Sequence, residues 1–429
     1  RVFVYYGSPS GPSSTEDWTI DSGQAYAGLG YSVSTAGDVN GDGYGDIAAG
    51  AYYYDNGQTN EGRVFVFYGS SAGLSAAADW TTESDQSYAY FGVSVSTAGD
   101  VNGDGYSDII AGAYGYDNGE SKEGRAFVYH GAPSGLSTSA GWAAECDQAS
   151  AMFAHSVATA GDVNGDGYSD VIVGAPHFDN GNQNEGRAYA YYGSSAGLSS
   201  IPDWVMESNL TGALLGYSVS TAGDINGDGY SDIIVGSPYY DNGETDEGRA
   251  FVYLGSASGL SASADWMAEG EQDHASFGFS VSTAGDINGD GYSDVIVGAY
   301  LFDNNEVDEG RAFVYQGSSS GLSTAADWTG ESNQLDSHFA YSVSTAGDVN
   351  GDGYADIMAG AKSYENGETQ EGRAFVYHGS SSGLSSMANW TAESNQTNAE
   401  FGCALSTAGD VNGDGYSDIV IGAPKYSNG

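Results

Sequence analysis

The sequence predicts an all-β fold, a seven-bladed β-propeller with four antiparallel strands per blade, and three observations predict it. The acidic stretch Asp38-Val39-Asn40-Gly41-Asp42-Gly43-Tyr44-Gly45-Asp46 returns at Asp100, Asp162, Asp224, Asp286, Asp348 and Asp410, each start 62 residues after the last. Short β-branched or aromatic runs bounded by glycine-rich turns fill each period, and no segment carries a helical repeat. Arg63-Val64-Phe65-Val66-Phe67-Tyr68 is apolar at both parities, so neither face of that strand meets water, as when sheets pack face to face around an axis.

Within the second repeat, Ser94-Val95-Ser96-Thr97-Ala98 predicts a first strand of small side chains, suited to a crowded centre. The acidic stretch follows, then a second strand at Asp108-Ile109-Ile110-Ala111-Gly112-Ala113. Past the turn Asp117-Asn118-Gly119 come a third strand, Arg125-Ala126-Phe127-Val128-Tyr129, and a fourth marked by Trp142. Arg1-Val2-Phe3-Val4-Tyr5-Tyr6 reads as a third strand, Trp18 marks a fourth, and Ser427-Asn428-Gly429 comes just after a second. The last blade is therefore expected to draw two strands from each end of the chain, residues 1–22 completing what 398–429 begin. The period overrides length as a guide to domain number, so 1–429 is expected to be one domain.

A net charge of −48 excludes a nucleic-acid partner, and no apolar run is long enough for membrane insertion. Cys146 and Cys403 fall at different places in their repeats, about four blades apart, and are not expected to pair. The chain opens on a strand without a signal peptide and so reads as a mature or trimmed product.

The acidic stretch has the spacing of an oxygen cage for Ca2+, one ion per blade and about seven in all. Oxygens at alternate positions wrap a hard cation, and the glycines let the backbone fold back. The expected ligands are the side chains at positions one, three, five and nine and the carbonyl of the tyrosine at position seven. They are Asp38, Asn40, Asp42, Tyr44 and Asp46; Asp100, Asn102, Asp104, Tyr106 and Asp108; and Asp162, Asn164, Asp166, Tyr168 and Asp170. The series continues with Asp224, Asn226, Asp228, Tyr230 and Asp232; Asp286, Asn288, Asp290, Tyr292 and Asp294; Asp348, Asn350, Asp352, Tyr354 and Asp356; and Asp410, Asn412, Asp414, Tyr416 and Asp418. An EF-hand loop would need an acid at position twelve, where this chain has Ala49, Ala111, Val173, Val235, Val297, Ala359 and Ile421. Seven bound calcium ions would leave a net charge of about −34. Exposed oxygen cages suit the millimolar calcium outside cells, which predicts an extracellular or cell-surface location.

Phe-Gly, then Gly-Asp-Val-Asn-Gly-Asp-Gly-Tyr-Ser-Asp-Ile, then Gly-Ala-Pro as in Gly174-Ala175-Pro176 and Gly422-Ala423-Pro424, resembles the FG-GAP repeat of integrin alpha-subunit propellers and their bacterial relatives. The near-identity of the repeats resembles the bacterial tandem type more than an animal receptor. The resemblance implies a calcium-binding propeller acting in adhesion or protein recognition, with calcium loops on one face and ligands met on the other.

All seven tryptophans share one register and are expected to pack between blades. All seven arginines share another, and an acid lies 20 residues after each, from Arg1 with Asp21 to Arg373 with Glu393. That spacing predicts a cross-strand ion pair in every blade. The six histidines share no register, no Ser/His/Asp set or phosphate loop stands out, and no enzymatic activity is expected. Three Asn-x-Thr sequons, Asn209, Asn389 and Asn395, would matter only in a glycosylating host.

In such a blade the loops joining strands one to two and three to four share the calcium face. Residues around 85–90 and 114–122 vary most between repeats and fall on the opposite face. They are expected to form the surface for a protein or glycan ligand of a monomeric ring. A lectin with several equivalent sugar sites, and the propeller domain of a larger secreted enzyme, are the alternatives.

Overall fold

The computed structural model describes residues 1–427; the tail residues Asn428 and Gly429 lie outside the described residues. Among the described residues, 28 strands form seven four-stranded antiparallel sheets. The first complete blade runs from an inner strand Ser32–Gly37 through Asp46–Ala51 and Arg63–Phe67 to an outer strand Trp80–Glu83. The closing blade has the order Trp18–Ile20, Val2–Tyr5, Asp418–Gly422, Ala404–Gly409, two strands from each end as expected, with Val2 opposite Gly422 and Tyr5 opposite Ile419.

The sheets bury both faces. Every second strand is buried along its full length, and side chains of successive blades interlock, as where Val64, Val66 and Trp80 meet Ile109, Ala111 and Tyr129. The inner strands carry small residues and leave a central channel of about 270 Å³. Serines tie neighbouring inner strands together there: Ser94 Oγ accepts the Val157 amide at 3.1 Å, and Ser32 Oγ donates to the Gly92 carbonyl at 2.8 Å.

A circle of hydrogen bonds joins all seven blades at their outer strands. Each tryptophan indole N–H donates to a serine carbonyl of the next blade at 2.8 to 3.1 Å, and the Trp390 bond to Ser13 closes the circle. Each indole also packs edge-on against a ring from the next blade's third strand, with centroids 4.8 to 5.0 Å apart. The tryptophans are therefore inter-blade packing, as their shared register predicted. The expected ion pairs also form: Arg63 and Glu83 are direct cross-strand partners, 2.6 Å apart, and all seven arginines pair within 4.0 Å of the acid 20 residues on. The two cysteines are free thiols.

Candidate metal centres and the opposite face

Each inner strand ends in a bulge, where Thr35 faces Ile47 but Gly37 faces Asp46, and the bulge turns the chain into the acidic loop. The loop folds around its own first residue. Asp38 Oδ1 accepts the amides of Gly41 and Asp42 at 2.7 and 3.1 Å, and its Oδ2 accepts that of Gly43 at 2.8 Å. Asn40 Oδ1 accepts from the Asp42 amide at 2.9 Å, and Asp42 Oδ1 from Tyr44 at 3.1 Å. The same five bonds recur in the six other loops. The structure thus gathers the predicted residues of each loop into one turn, with positions one and three half-buried, position five exposed and position nine buried.

The ninth residue is 0 % exposed in all seven loops. Asp46 Oδ2 accepts the Val39 amide and its Oδ1 the Gly69 amide, both at 2.9 Å, which fastens the loop to the neighbouring hairpin. Burial pushes Asp46, Asp170, Asp232, Asp294, Asp356 and Asp418 up to about 7, the amides oppose this, and the loop's other two aspartates add to it. No salt bridge reaches these six among the described residues, whereas His130 Nδ1 stands 3.3 Å from Asp108 Oδ2 in the remaining loop. A sealed carboxylate repelled by its neighbours fits a hard cation, and the donor set is all oxygen. The loops also touch one another. The amide at position eight donates to the position-one carbonyl of the preceding loop at 2.9 to 3.0 Å, from Ser107 to Asp38 round to Gly45 and Asp410.

Among the described residues, three acids whose ligating oxygens all lie within 4.8 Å of one another occur at Glu61, Glu83 and Asp85 on the opposite face, and in none of the seven loops. The sequence alone does not single out this group, in which Glu83 is already the expected partner of Arg63. A Glu two residues before six of the seven third-strand arginines, at Glu61, Glu123, Glu185, Glu247, Glu309 and Glu371, was the available signal.

Each inner strand enters beside the channel mouth and leaves into an acidic loop, so mouth and loops lie at opposite ends. Tyr31, Val93, His155, Tyr217, Phe279, Tyr341 and Cys403 encircle the mouth, one per blade. A path of ring contacts runs from Tyr31 to Tyr341 and is open at Cys403: Tyr31 to Tyr52 at 4.3 Å, Tyr52 to Tyr90 at 6.4 Å, Tyr90 stacked on Tyr114 at 5.0 Å, Tyr114 to His155 at 6.0 Å, His155 to Tyr217 at 4.7 Å, Tyr217 to Phe279 at 4.9 Å, and Phe279 to Tyr341 at 4.9 Å. Lys362 Nζ sits 3.4 Å from the Tyr341 ring centroid. The two variable segments meet here. Gly115 donates to the Ala89 carbonyl at 3.1 Å, and Gln86 exchanges two hydrogen bonds with the Asp117 backbone.

The histidines remain dispersed: His177 contacts Asn184, His274 contacts Asp246, and His338 contacts Ser363. Asn209, Asn389 and Asn395 are exposed.

The chain is 34% identical to integrin alpha-V of Gallus gallus over 223 residues, which is 50% of this chain and 20% of that protein. It is 30% identical to integrin alpha-5 of Xenopus laevis over 254 residues, 57% of this chain and 23% of that protein. A Bos taurus phosphatidylinositol-glycan-specific phospholipase D is 34% identical over 201 residues, 43% of this chain and 24% of that protein. The chain thus matches about a fifth to a quarter of the length of these relatives. A crystal structure of BBS1N in complex with ARL6DN, soaked with lead, superposes with a TM-score of 0.50 at 10% identity, covering 100% of this chain and 98% of that one, a likeness of fold alone. The FG-GAP repeat model matches residues 29–67, 91–129, 153–191, 215–253, 277–315, 339–377 and 401–429. That repeat is a structural and adhesive unit rather than a catalytic one, and this chain belongs to the FG-GAP repeat family as an integrin-alpha-like propeller.

Proposed function

We propose that the ring is one domain, a calcium-dependent adhesion or protein-interaction module that works outside the cell as a monomer. Calcium in the seven loops stiffens one face, and a protein partner is met on the other. The aromatic crown carries this reading. It runs unbroken from Tyr31 to Tyr341, it joins the two segments that vary most between repeats, and it includes exposed tyrosines, Tyr53 at 41% and Tyr88 at 52%.

The loop residues would hold the ion: Asp38, Asn40, Asp42, the Tyr44 carbonyl and Asp46, with their counterparts in the other six blades. Bound calcium supplies positive charge to a carboxylate that the fold has removed from water. Asp46 fastens the loop to the next hairpin, and the position-eight amide passes that constraint to the neighbouring loop. The near-identity of the repeats is what supports a bacterial tandem type for the chain.

A lectin would need equivalent sites in each blade. The crown positions instead change from Tyr to Val, His, Phe and Cys around the mouth, which favours one asymmetric surface. An array of matrix proteins and glycans, probed in calcium and again in chelator, tests this. Binding to a protein, lost on chelation and lost in Tyr53→Ala with Tyr90→Ala, is expected. Binding inhibited by a simple sugar would replace the reading with the lectin.

A further inference from the structure

We propose a cation site separate from the seven loops, for a divalent ion with oxygen ligands, formed by Glu61, Glu83 and Asp85 on the crown face. Their ligating oxygens all lie within 4.8 Å of one another. Glu61 lies just before the third strand of its blade, Glu83 ends the fourth, and Asp85 follows in the loop to the next blade.

The second observation is the state of Glu61. Its side chain is 0 % exposed, yet its Oε2 has no hydrogen-bond partner. Its Oε1 accepts from the Asn56 amide. Glu83 is satisfied separately: Arg63 donates to its Oε2 from Nε at 3.0 Å and Nη2 at 2.6 Å, and Asn56 Nδ2 donates to its Oε1 at 2.7 Å. The arginine therefore answers Glu83 and leaves Glu61 unanswered. A buried carboxylate oxygen with no donor is costly, and a proton, an ordered water or a cation must relieve it. Burial accordingly raises the Glu61 carboxyl above its ordinary range.

Charge selects the cation. Three carboxylates beside one guanidinium leave two negative charges uncompensated, the amount one divalent ion neutralises. The donors are hard oxygens without nitrogen or sulfur, which suits calcium over zinc or copper.

The site is local to this blade. The orphaned oxygen recurs at Glu123, Glu309 and Glu371, but Asn333 and Asn395 stand where Asp85 would be needed for the last two. Among the described residues, three acids close to this distance only around Glu61.

An ion here would act on the crown. The Tyr90 amide donates to the Asn60 carbonyl at 3.2 Å and the Phe91 amide to the Glu61 carbonyl at 3.1 Å. Fixing Glu61 to Asp85 therefore ties the hairpin before Arg63 to the segment that carries Tyr88 and Tyr90. This requires nothing of the loop sites.

Crystals of the whole ring grown in calcium and exchanged into terbium would give an anomalous difference map in which both kinds of site are read together. A peak among Glu61, Glu83 and Asp85 is expected; no peak there overturns the proposal, whatever the loops show. Peaks here with bare loops would instead overturn the seven-site reading alone. The solution test is Asp85→Asn, because Asn209, Asn333 and Asn395 already take this left-handed position (φ 53° to 57°), so the fold accepts the change. Equilibrium dialysis with calcium alone should show the loss of one equivalent per chain, or its weakening by about tenfold. Unchanged stoichiometry and affinity would sink the proposal.

Discussion

Asp42 and Asp46 carry the same charge in one loop but answer to different neighbours, and their conservative variants should separate binding from folding. Asp42 is exposed, and its Oδ1 takes one amide bond that an asparagine oxygen can also take. Asp42→Asn is therefore expected to weaken calcium binding at that loop and leave the melting temperature in chelator unchanged. Asp46 accepts a buried amide with each oxygen. An asparagine can accept only one, turning its NH2 toward the other N–H, at a cost of about 1–3 kcal/mol. Asp46→Asn should melt earlier in calcium and in chelator alike, and calorimetry in both conditions checks the pair. A titrating residue gives a second test at this scale. Burial against the Tyr217 ring lowers His155 to about 4, and its Nδ1 lies 3.3 Å from the Tyr217 carbonyl. His155 is then neutral in the fold near pH 6 while the unfolded chain takes up a proton. Stability is intact above the unfolded value near 6.5 and declines as pH falls from there toward 4. His155→Phe, which places at this register the residue found at Phe279, should lack that component of the decline when melting temperatures are compared across this range.

The connection between successive loops sets the next test. Gly41 has φ 74°, and a Cβ there would come within 2.5 Å of the Tyr106 ring of the next loop; Gly43 has φ 91° and open space around it. Gly43→Ala should cost only the left-handed conformation, about 1–2 kcal/mol. Gly41→Ala should cost more, because Tyr106 must move and disturb the neighbouring loop, and urea unfolding of the two variants ranks them. An equal cost would mean that adjacent loops are not mechanically joined. This scale also shows what could be read from the chain. The 20-residue step from arginine to acid follows directly from antiparallel pairing, so register was legible, and the recurring nine-residue stretch marked where each acidic loop falls. The tryptophan register was legible too, since a residue fixed in every outer strand must meet the same surface in every blade. The crown was visible only as two variable segments, because its positions share ring chemistry without sharing a residue type. The Glu61, Glu83 and Asp85 group joins two chain segments whose separation resembles no metal motif, so the recurring Glu before the arginine was legible but its partners were not.

For the molecule as a whole, closure is the property on which blades, loops and crown jointly depend, and its weakest point is the seam between the chain ends. Residues 1–22 supply Val2–Tyr5 and Trp18–Ile20 to the closing sheet. They also supply the Gly7 amide that holds Asp418 at 2.8 Å, the Ser13 carbonyl that receives Trp390, and Trp18 itself, which donates to Ser75. Removing them therefore breaks both seams of one blade. It leaves Asp418–Gly422, buried along its length in the intact ring, as an open apolar edge. On the proposed seven-ion reading, loss of calcium would act on the same closure from another side: stripping the loops would return the chain from about −34 to its formal −48, and self-repulsion would then favour opening, more so at low salt. A chain lacking residues 1–22 is thus expected to aggregate or unfold in calcium, and chelation of the intact chain to lower its melting temperature most at low ionic strength. Adding the 1–22 peptide in trans should restore a monomeric species on size-exclusion chromatography, because the peptide carries both missing strands. A truncated chain that stays monomeric with an unchanged melting temperature would show that six blades stand without the seventh, and that closure is not what holds the ring.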